Sequence, residues 1–471
     1  MITECTPIQM DFQGVGRRKV EASFDGGHLS SDGGALLLRE VEERSNIIER
    51  FAACFTDHRD ARFVEHGVVE LLRQRVFGIA LGYEDLNDHD KLRLDPLIAL
   101  ASGKEDLEGK NRRHEEDRGK PLASPSTLNR LELTPEDATE DSRYKKLVYH
   151  GERVEALLVE LFLESFKKAP EEIILDFDAT DDPLHGNQEG RFFHGYYGNY
   201  CYLPLYVTCG DELLVAMLRQ SNIDACDGTV PVLERLVAAI RAKFPHTRII
   251  LRGDSGFCRE AIMAWCEENN VYYILGLARN SRLTKILEPA LFKAALRQCL
   301  TGVACREFLC FEYRTKTSWS RSRRVIGKAE VLRQGTNPRF IVTNLPEDYA
   351  TPADLYEKVY CARGEMENRI KEQQLDLFAD RTSTHTMRAN QLRLWFSSMA
   401  YVLINRLRSV ALEGTKMARA TCGTIRLNLF KVAAALKISV RRVMVHLPTA
   451  CPFQNVFVQA WEALHRLPRP A

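Results

Sequence analysis

Residues 251–257 read LRGDSGF and follow directly on Arg248, Ile249 and Ile250. A strand-like segment thus ends on a carboxylate, Asp254, and turns through Ser255 and Gly256. An isolated charge is too costly to bury, so a carboxylate at the mouth of a buried strand is either paired or held for chemistry. The flanking sequence bears on which. Upstream, EEIILDFDAT (171–180) alternates as a strand does, with Ile173, Leu175 and Phe177 on one face and Asp176 and Asp178 on the other. YCYLPLYVTCG and ELLVAMLRQS are apolar runs joined at Gly210-Asp211, a hairpin signal. GTVPVLERLVAAIRAKF reads as an amphipathic helix, TRIILRGD as the next strand, CREAIMAWCEENN as a helix and VYYILGLA as a strand.

Three leading strands followed by alternating helices and strands predict an α/β, ribonuclease-H-like sheet with helices on both faces. Ligands of such sheets gather at the carboxyl ends of strands. Asp178 lies near the end of the first strand and Asp254 at the end of the fourth. Strand-end aspartates also cap the helices that follow them, so two alone decide little.

The third carboxylate comes from TPADLYEKVYCARGEMENRIKEQQLDLF (351–378). Thr351 is placed to cap a helix, with Pro352 at its first position and Asp354 where a capping acid belongs. At 100° per residue, Leu355, Val359, Ala362, Met366 and Ile370 form a core-facing seam. Tyr360, Arg363, Glu367, Lys371 and Gln374 form a second stripe about 100° around the helix from the first. Glu365 points elsewhere, so spacing favours Glu367 as the carboxylate at the edge of the packed face. The plain alternative is a solvated pair of Glu367 with Lys371.

LDFDATDD, LRGDSGF and YCARGEMENRIKEQQ together resemble the three blocks of DDE transposases from bacterial insertion sequences. The nearest group is the one numbered thirteen-eighty, distantly related to piggyBac elements. RQRVFGIALGYEDLNDHDKLRLD, SPSTLNRLE and VRRVMVHLPTACPFQ extend the resemblance over nearly the whole chain. It implies catalytic and metal-binding roles for Asp178, Asp254 and Glu367, with Asp176 a rival for the first. Mg²⁺ is the implied cofactor, with Mn²⁺ able to substitute, since hard cations prefer carboxylate oxygens. Tyr360, Arg363 and Glu367 match the related tyrosine-arginine-glutamate-lysine signature. Its lysine position holds Gln374, and Lys371 is the substitute for that charge. The implied partners are terminal inverted repeats and target DNA, handled by a homodimer or larger assembly.

The corresponding layout is a mostly helical DNA-binding region (1–165), a ribonuclease-H-like catalytic core (166–282), a β-rich insertion (283–349), the rest of the core with the Glu367 helix (350–410) and a C-terminal helical extension (411–471). Within the insertion, Arg314, Lys316, Arg321, Arg323, Arg324, Lys328, Arg333 and Arg339 face the lone acid Glu330 between positions 314 and 339. Such a basic segment is where a polyanion is expected to bind, with Arg321, Arg323 and Arg324 as DNA contacts. Trp319 stands among them and reads as lying outside the core. It either stacks on an unpaired base or lies over a neighbouring strand.

Other signals are weaker or bound the answer from outside. Net charge is only +1 over 471 residues, so any attraction for DNA is local rather than global. Thirteen cysteines without a CxxC pair suit reduced thiols in the cytoplasm. The opening MITECTPIQMDFQ has neither a basic start nor an apolar core, which argues against a signal peptide, and no membrane span is expected. GKEDLEGKNRRHEEDRGK (103–120) is too poor in apolar residues to fold alone and reads as a mobile excursion. YEDLNDHDKLRLD, with His89, matches no metal loop and suits a hydrogen-bonded link between helices. In SPSTLNRLEL, Ser126, Thr127 and Arg130 suit either a DNA backbone or an ordinary helix start. A nuclease without strand transfer, or a non-catalytic DNA-binding relative, fits the same residues.

Overall fold

The computed structural model describes residues 9–469; the first eight residues of the opening stretch lie outside it. The chain divides into two compact units, one running to His150 with Asp376–Phe378 and the residues from Met399, the other comprising Gly151–Leu375 and Ala379–Ser398. Among the described residues, no helix is long and apolar enough to cross a membrane.

The first unit is built on short helices, among them α1 (Ala35–Ser45), α2 (Val68–Ala80), α3 (Pro96–Ala101) and α4 (Pro125–Glu132). Its C-terminal part is not wholly helical as expected. Ala434–Ile438 pairs antiparallel with Val443–His446 on one side and with His28–Ser30 on the other. The cause is a period-two pattern that buries Ala434 and Leu436 against Leu97 of α3. The polar excursion 103–120 is not left loose either. Glu65 accepts from the Arg113 backbone N at 2.8 Å and from Arg112 Nη2 at 3.3 Å, while Arg112 Nη1 donates to the Lys120 carbonyl at 2.7 Å. Hydrogen bonds hold it where apolar burial does not.

His89 is fully buried, and its Nδ1 lies 3.1 Å from Nε2 of Gln74 on α2, whose amide also bonds both ways with the Ala123 backbone. It is a hydrogen-bonded link between segments. Burial pushes the His89 imidazole down to about 3, with Arg75 adding to the effect and Asp85 opposing it. A histidine depressed in the fold takes up its proton on unfolding. Its stabilisation is therefore complete above the unfolded value near 6.5 and drains away as pH falls toward 3. Lowering the pH from 7 to 5 is expected to reduce the thermal midpoint, and His89→Gln should flatten that dependence by about one proton, or about 1.4 kcal/mol per pH unit. Identical pH slopes for the two proteins would remove His89 from the account.

The second unit is organised by one large mixed sheet. Its strands are β1 (Glu172–Ala179), β2 (Leu205–Cys209), β3 (Glu212–Met217), β4 (Arg248–Gly253), β5 (Tyr272–Leu277), β6 (Cys305–Tyr313), β7 (Arg323–Leu332) and β8 (Arg339–Thr343), in the spatial order β3-β2-β1-β4-β5-β8-β7-β6. β1, β4 and β5 run parallel, and the others join antiparallel. Helices α5 (Thr229–Lys243) and α6 (Glu260–Glu268) supply Val232, Leu233, Leu236, Ile262 and Met263 to a core with Ile173, Leu175, Phe177, Ile249 and Leu251. Ile250 and Ile274 belong to a separate cluster with Leu355 and Tyr356. Alternation along β4 thus serves both faces.

A 21-residue helix, α7 (Ser281–Thr301), opens the stretch expected to be a β-rich insertion. Asn280 Oδ1 accepts from Leu283 N at its start, and Gly302, at φ 69°, closes it in a left-handed turn. Only Leu283, Leu287 and Ala294 of it are fully buried, too sparse a stripe to stand out in the sequence. The strands that follow do not form a sheet of their own: β8 pairs with β5 and extends the large sheet outward through β7 and β6.

Candidate active site

β1 and β4 are adjacent parallel strands at the middle of the sheet, with Asp176 opposite Arg252 and Phe177 opposite Gly253. One register step further brings Asp254 beside Asp178 at the strands' carboxyl ends. Neighbouring strands are roughly 4.8 Å apart, so two carboxylates on one face there feel each other strongly.

The two aspartates of β1 have different surroundings. Asp176 is 3% exposed and held by Arg252 through two contacts, Nε to Oδ1 and Nη2 to Oδ2, the second at 2.6 Å. Arg252 also donates to the Val359 carbonyl. Asp176 is a buried structural ion pair. Asp178 has no such dedicated partner: Arg363 Nη1 reaches its Oδ2 at 3.3 Å, and the same guanidinium reaches Glu367 Oε1 at 3.2 Å through Nη2. Burial pushes the Asp178 carboxyl up to about 6; Arg363 opposes the rise, and the charges of Asp254 and Glu367 add to it. The three carboxylates singled out in the sequence share one electrostatic environment, with Arg363 bridging two of them.

Asp254 does cap a turn, its Oδ1 accepting from Gly256 N at 2.8 Å ahead of the single turn Ser255–Phe257. It also lines a cleft of about 440 Å³ together with Gly276, Arg279, Arg339, Tyr360 and Arg363. The capping bond uses one oxygen and fixes the direction of the other. Arg279 was missed in the sequence because it follows a strand end with no motif around it.

The Glu367 segment is one helical course with three characters. Wide, π-type turns over Leu355–Tyr360 and Glu372–Asp376 flank α8 (Gly364–Lys371). Such turns insert a residue and shift the phase of a uniform 100° stripe. Leu355, Met366 and Ile370 of the expected seam are buried, whereas Val359 and Ala362 are only half-buried and Tyr356 joins the core instead. Glu367 and Lys371 are exposed. Gln374, in the signature's lysine position, donates to the Asp181 carbonyl at 3.1 Å.

The basic segment is arranged differently from its expected role. Trp319, expected outside the core, is 4% exposed, packs edge-on against Tyr313 with centroids 5.7 Å apart, and lies under the Arg323 guanidinium. Arg323 is itself buried between Glu260 and Glu267, at 2.6 and 2.7 Å. Arg321 leans on Glu267 at 3.4 Å, and Arg324 donates to the Leu345 carbonyl. These residues stand in a folded ionic layer, and a Trp among arginines is a core residue because α6 supplies the acids. Of the segment's basic residues, Arg339 lines the Asp254 cleft, beside Asn337 and Pro338.

Residues 12–469 match a family model described as Transposase DDE domain group 1. The chain belongs to that transposase family. Among solved structures, a cryo-EM piggyBac transposase synaptic complex with hairpin DNA is 10% identical to this DDE-family chain, with a TM-score of 0.42 over 84% of this chain and 79% of that one. That likeness is too distant to bear on the chemistry of this DDE-family chain. No curated protein matches it.

DDE transposases generally use divalent metal ions. The donor chemistry here suits them, since three carboxylates offer hard oxygen ligands and their mutual repulsion calls for a cation. In this arrangement Arg363 provides that charge. Among the described residues, no group of three or more His, Cys, Asp or Glu side chains is gathered closely enough to hold a metal.

Proposed function

We propose that this chain is a DNA transposase of the insertion-sequence thirteen-eighty kind, acting through a ribonuclease-H-like core formed by β1–β5 with α5, α6 and the Glu367 helix. It binds the terminal inverted repeats of its element, cleaves the ends and joins them to target DNA, as a homodimer or larger assembly in the bacterial cytoplasm. The observation that carries this reading is that Asp178 and Asp254 stand at the carboxyl ends of two central parallel strands and share one electrostatic environment with Glu367, Arg363 reaching both Asp178 and Glu367. Family membership supports it.

Asp178, Asp254 and Glu367 would hold two Mg²⁺ ions, which supply Lewis-acid activation of the attacking and leaving oxygens. The chain's own residues set the geometry. The two strands fix the aspartates rigidly, and the helical course brings Glu367 from far along the sequence. Arg363, drawn off the carboxylates when a phosphodiester enters, offers it a planar two-pronged donor. Arg279 and Arg339 line the same cleft and suit the flanking phosphates, and Lys371 stands one turn beyond Glu367. Tyr360 lies against the Asp254 turn and holds its position.

The test is cleavage and strand transfer on labelled duplexes carrying the gene's native flanks, with Mg²⁺ or Mn²⁺. Flank-specific nicks followed by joined products are expected. Nicks without joining would replace the transposase reading with a nuclease, and metal-independent binding without any cutting would replace it with a DNA-binding relative.

A further inference from the structure

A second cleft, of about 800 Å³, opens in the first unit, and the catalytic reading uses none of its lining residues. Ser124, Ser126 and Thr127, at the start of α4, line it together with Arg130 of the helix's last turn. Ser124 caps that eight-residue helix by accepting from Thr127 N, so the helix presents its electropositive end and three hydroxyls to the cleft.

The lining also holds buried polar atoms without partners. His66 lines the cleft at 5% exposure, and its Nε2 is buried with no partner. Nε of Arg93 and Nε of Arg112, on the same lining, are also buried and unpartnered. Such groups are costly unless something supplies an acceptor. Of the four acids on the lining, Glu65 is engaged with Arg112 and Arg113 and Asp117 with Arg93 at 3.4 Å and Arg112 at 3.7 Å, while Asp90 and Glu116 are exposed and are outnumbered by Arg59, Arg93, Arg112, Lys120, Arg130 and Lys146. Burial, with Lys104, Arg112 and Arg59 nearby, pushes His66 down to about 3, so it remains a neutral imidazole beside those cations. Exposed aromatics with stacked arginines stand on the lining too, Arg113 4.5 Å over Phe63 and Arg130 5.1 Å over Tyr144.

We infer that this cleft seats the phosphodiester backbone of duplex DNA, with Ser126 and Thr127 at the head of α4 and Arg130 in its last turn as the direct contacts. Unpartnered guanidinium nitrogens, a helix amino end and arginines over rings all suit an extended anion, and the volume exceeds what a lone ion needs. The contacts are to backbone, so they position the duplex and carry no base preference. The inference rests on the transposase reading and places a DNA seat remote in sequence from the reacting carboxylates.

The experiment is fluorescence anisotropy of the full chain with a labelled native-flank duplex across a salt series, comparing wild type, Arg130→Gln and the pair Ser126→Ala with Thr127→Val. Arg130 is exposed, so its replacement leaves the fold in place, and unchanged thermal unfolding checks this. Arg130→Gln is expected to weaken binding about tenfold and to lower the salt slope by about one, with cleavage restored at saturating DNA. Wild-type affinity and slope in both variants, in a protein that does cut and join, would overturn the cleft assignment and leave the transposase reading intact. A wild-type chain that neither binds nor cuts the duplex would overturn both.

Discussion

Asp254→Asn is expected to reduce flank-specific cleavage and joining by about a thousandfold or more. Removing one carboxylate from a two-metal centre costs several kcal/mol of transition-state stabilisation, at about 1.36 kcal/mol per decade of rate. Asparagine keeps an oxygen that accepts from Gly256 N, so the Ser255–Phe257 turn stays capped and thermal unfolding should barely move. Asp178→Asn should behave alike. Asp176→Asn supplies the contrast, because it strips the buried Arg252 of its counter-charge. Breaking such a pair costs roughly 3–5 kcal/mol of stability, so that variant should lose fold and activity together. Rates within threefold of wild type for Asp254→Asn would return Asp254 to the role of a turn cap.

Gly276→Ala is expected to disable the site from a position that carries no functional group. A methyl at Gly276 would stand 2.6 Å from the Tyr360 hydroxyl, 2.9 Å from Ser255 N and 3.1 Å from Asp254 C. Two of the three obstacles are backbone, so the Asp254 turn or the Tyr360 helix has to shift. A displacement near 1 Å in a positioned group costs about a hundredfold in rate, and overpacking of this kind costs about 1–3 kcal/mol in stability. Gly276→Ala with Tyr360→Phe should recover part of both, since the nearest obstacle is then gone. Kinetics of Gly276→Ala indistinguishable from wild type would show that the turn accommodates the methyl freely.

The strands β1 and β4, and the placing of Asp178 and Asp254 at their carboxyl ends, could be read in advance because they rest on local signals, whereas the pairing of the two strands joins segments 76 residues apart. Period-two alternation placed Asp176 and Asp178 on one face, and Gly256 after Asp254 marked the turn. Choosing between Asp176 and Asp178 needed Arg252, whose alignment with Asp176 is a matter of strand register and invisible in either segment alone. The stripe containing Arg363 and Glu367 was legible from spacing, but the bridge from Arg363 to Asp178 spans 185 positions. Uniform helical geometry also could not anticipate the wide turns that moved Tyr356 inward. Trp319 and Arg323 illustrate the harder failure. Charge density marked them as surface, and only Glu260 and Glu267, roughly sixty residues earlier, make their burial tolerable.

The Arg363 bridge has a consequence for how the chain lives between reactions. Many metalloproteins depend on their ion to offset a knot of like charges, and chelators then unfold them. Here a guanidinium on the chain's own helix already performs that neutralisation for Asp178 and Glu367. On the proposed metal-dependent reading, folding and metal loading are then expected to be separate events, with a chelator stopping cleavage while thermal unfolding stays unchanged.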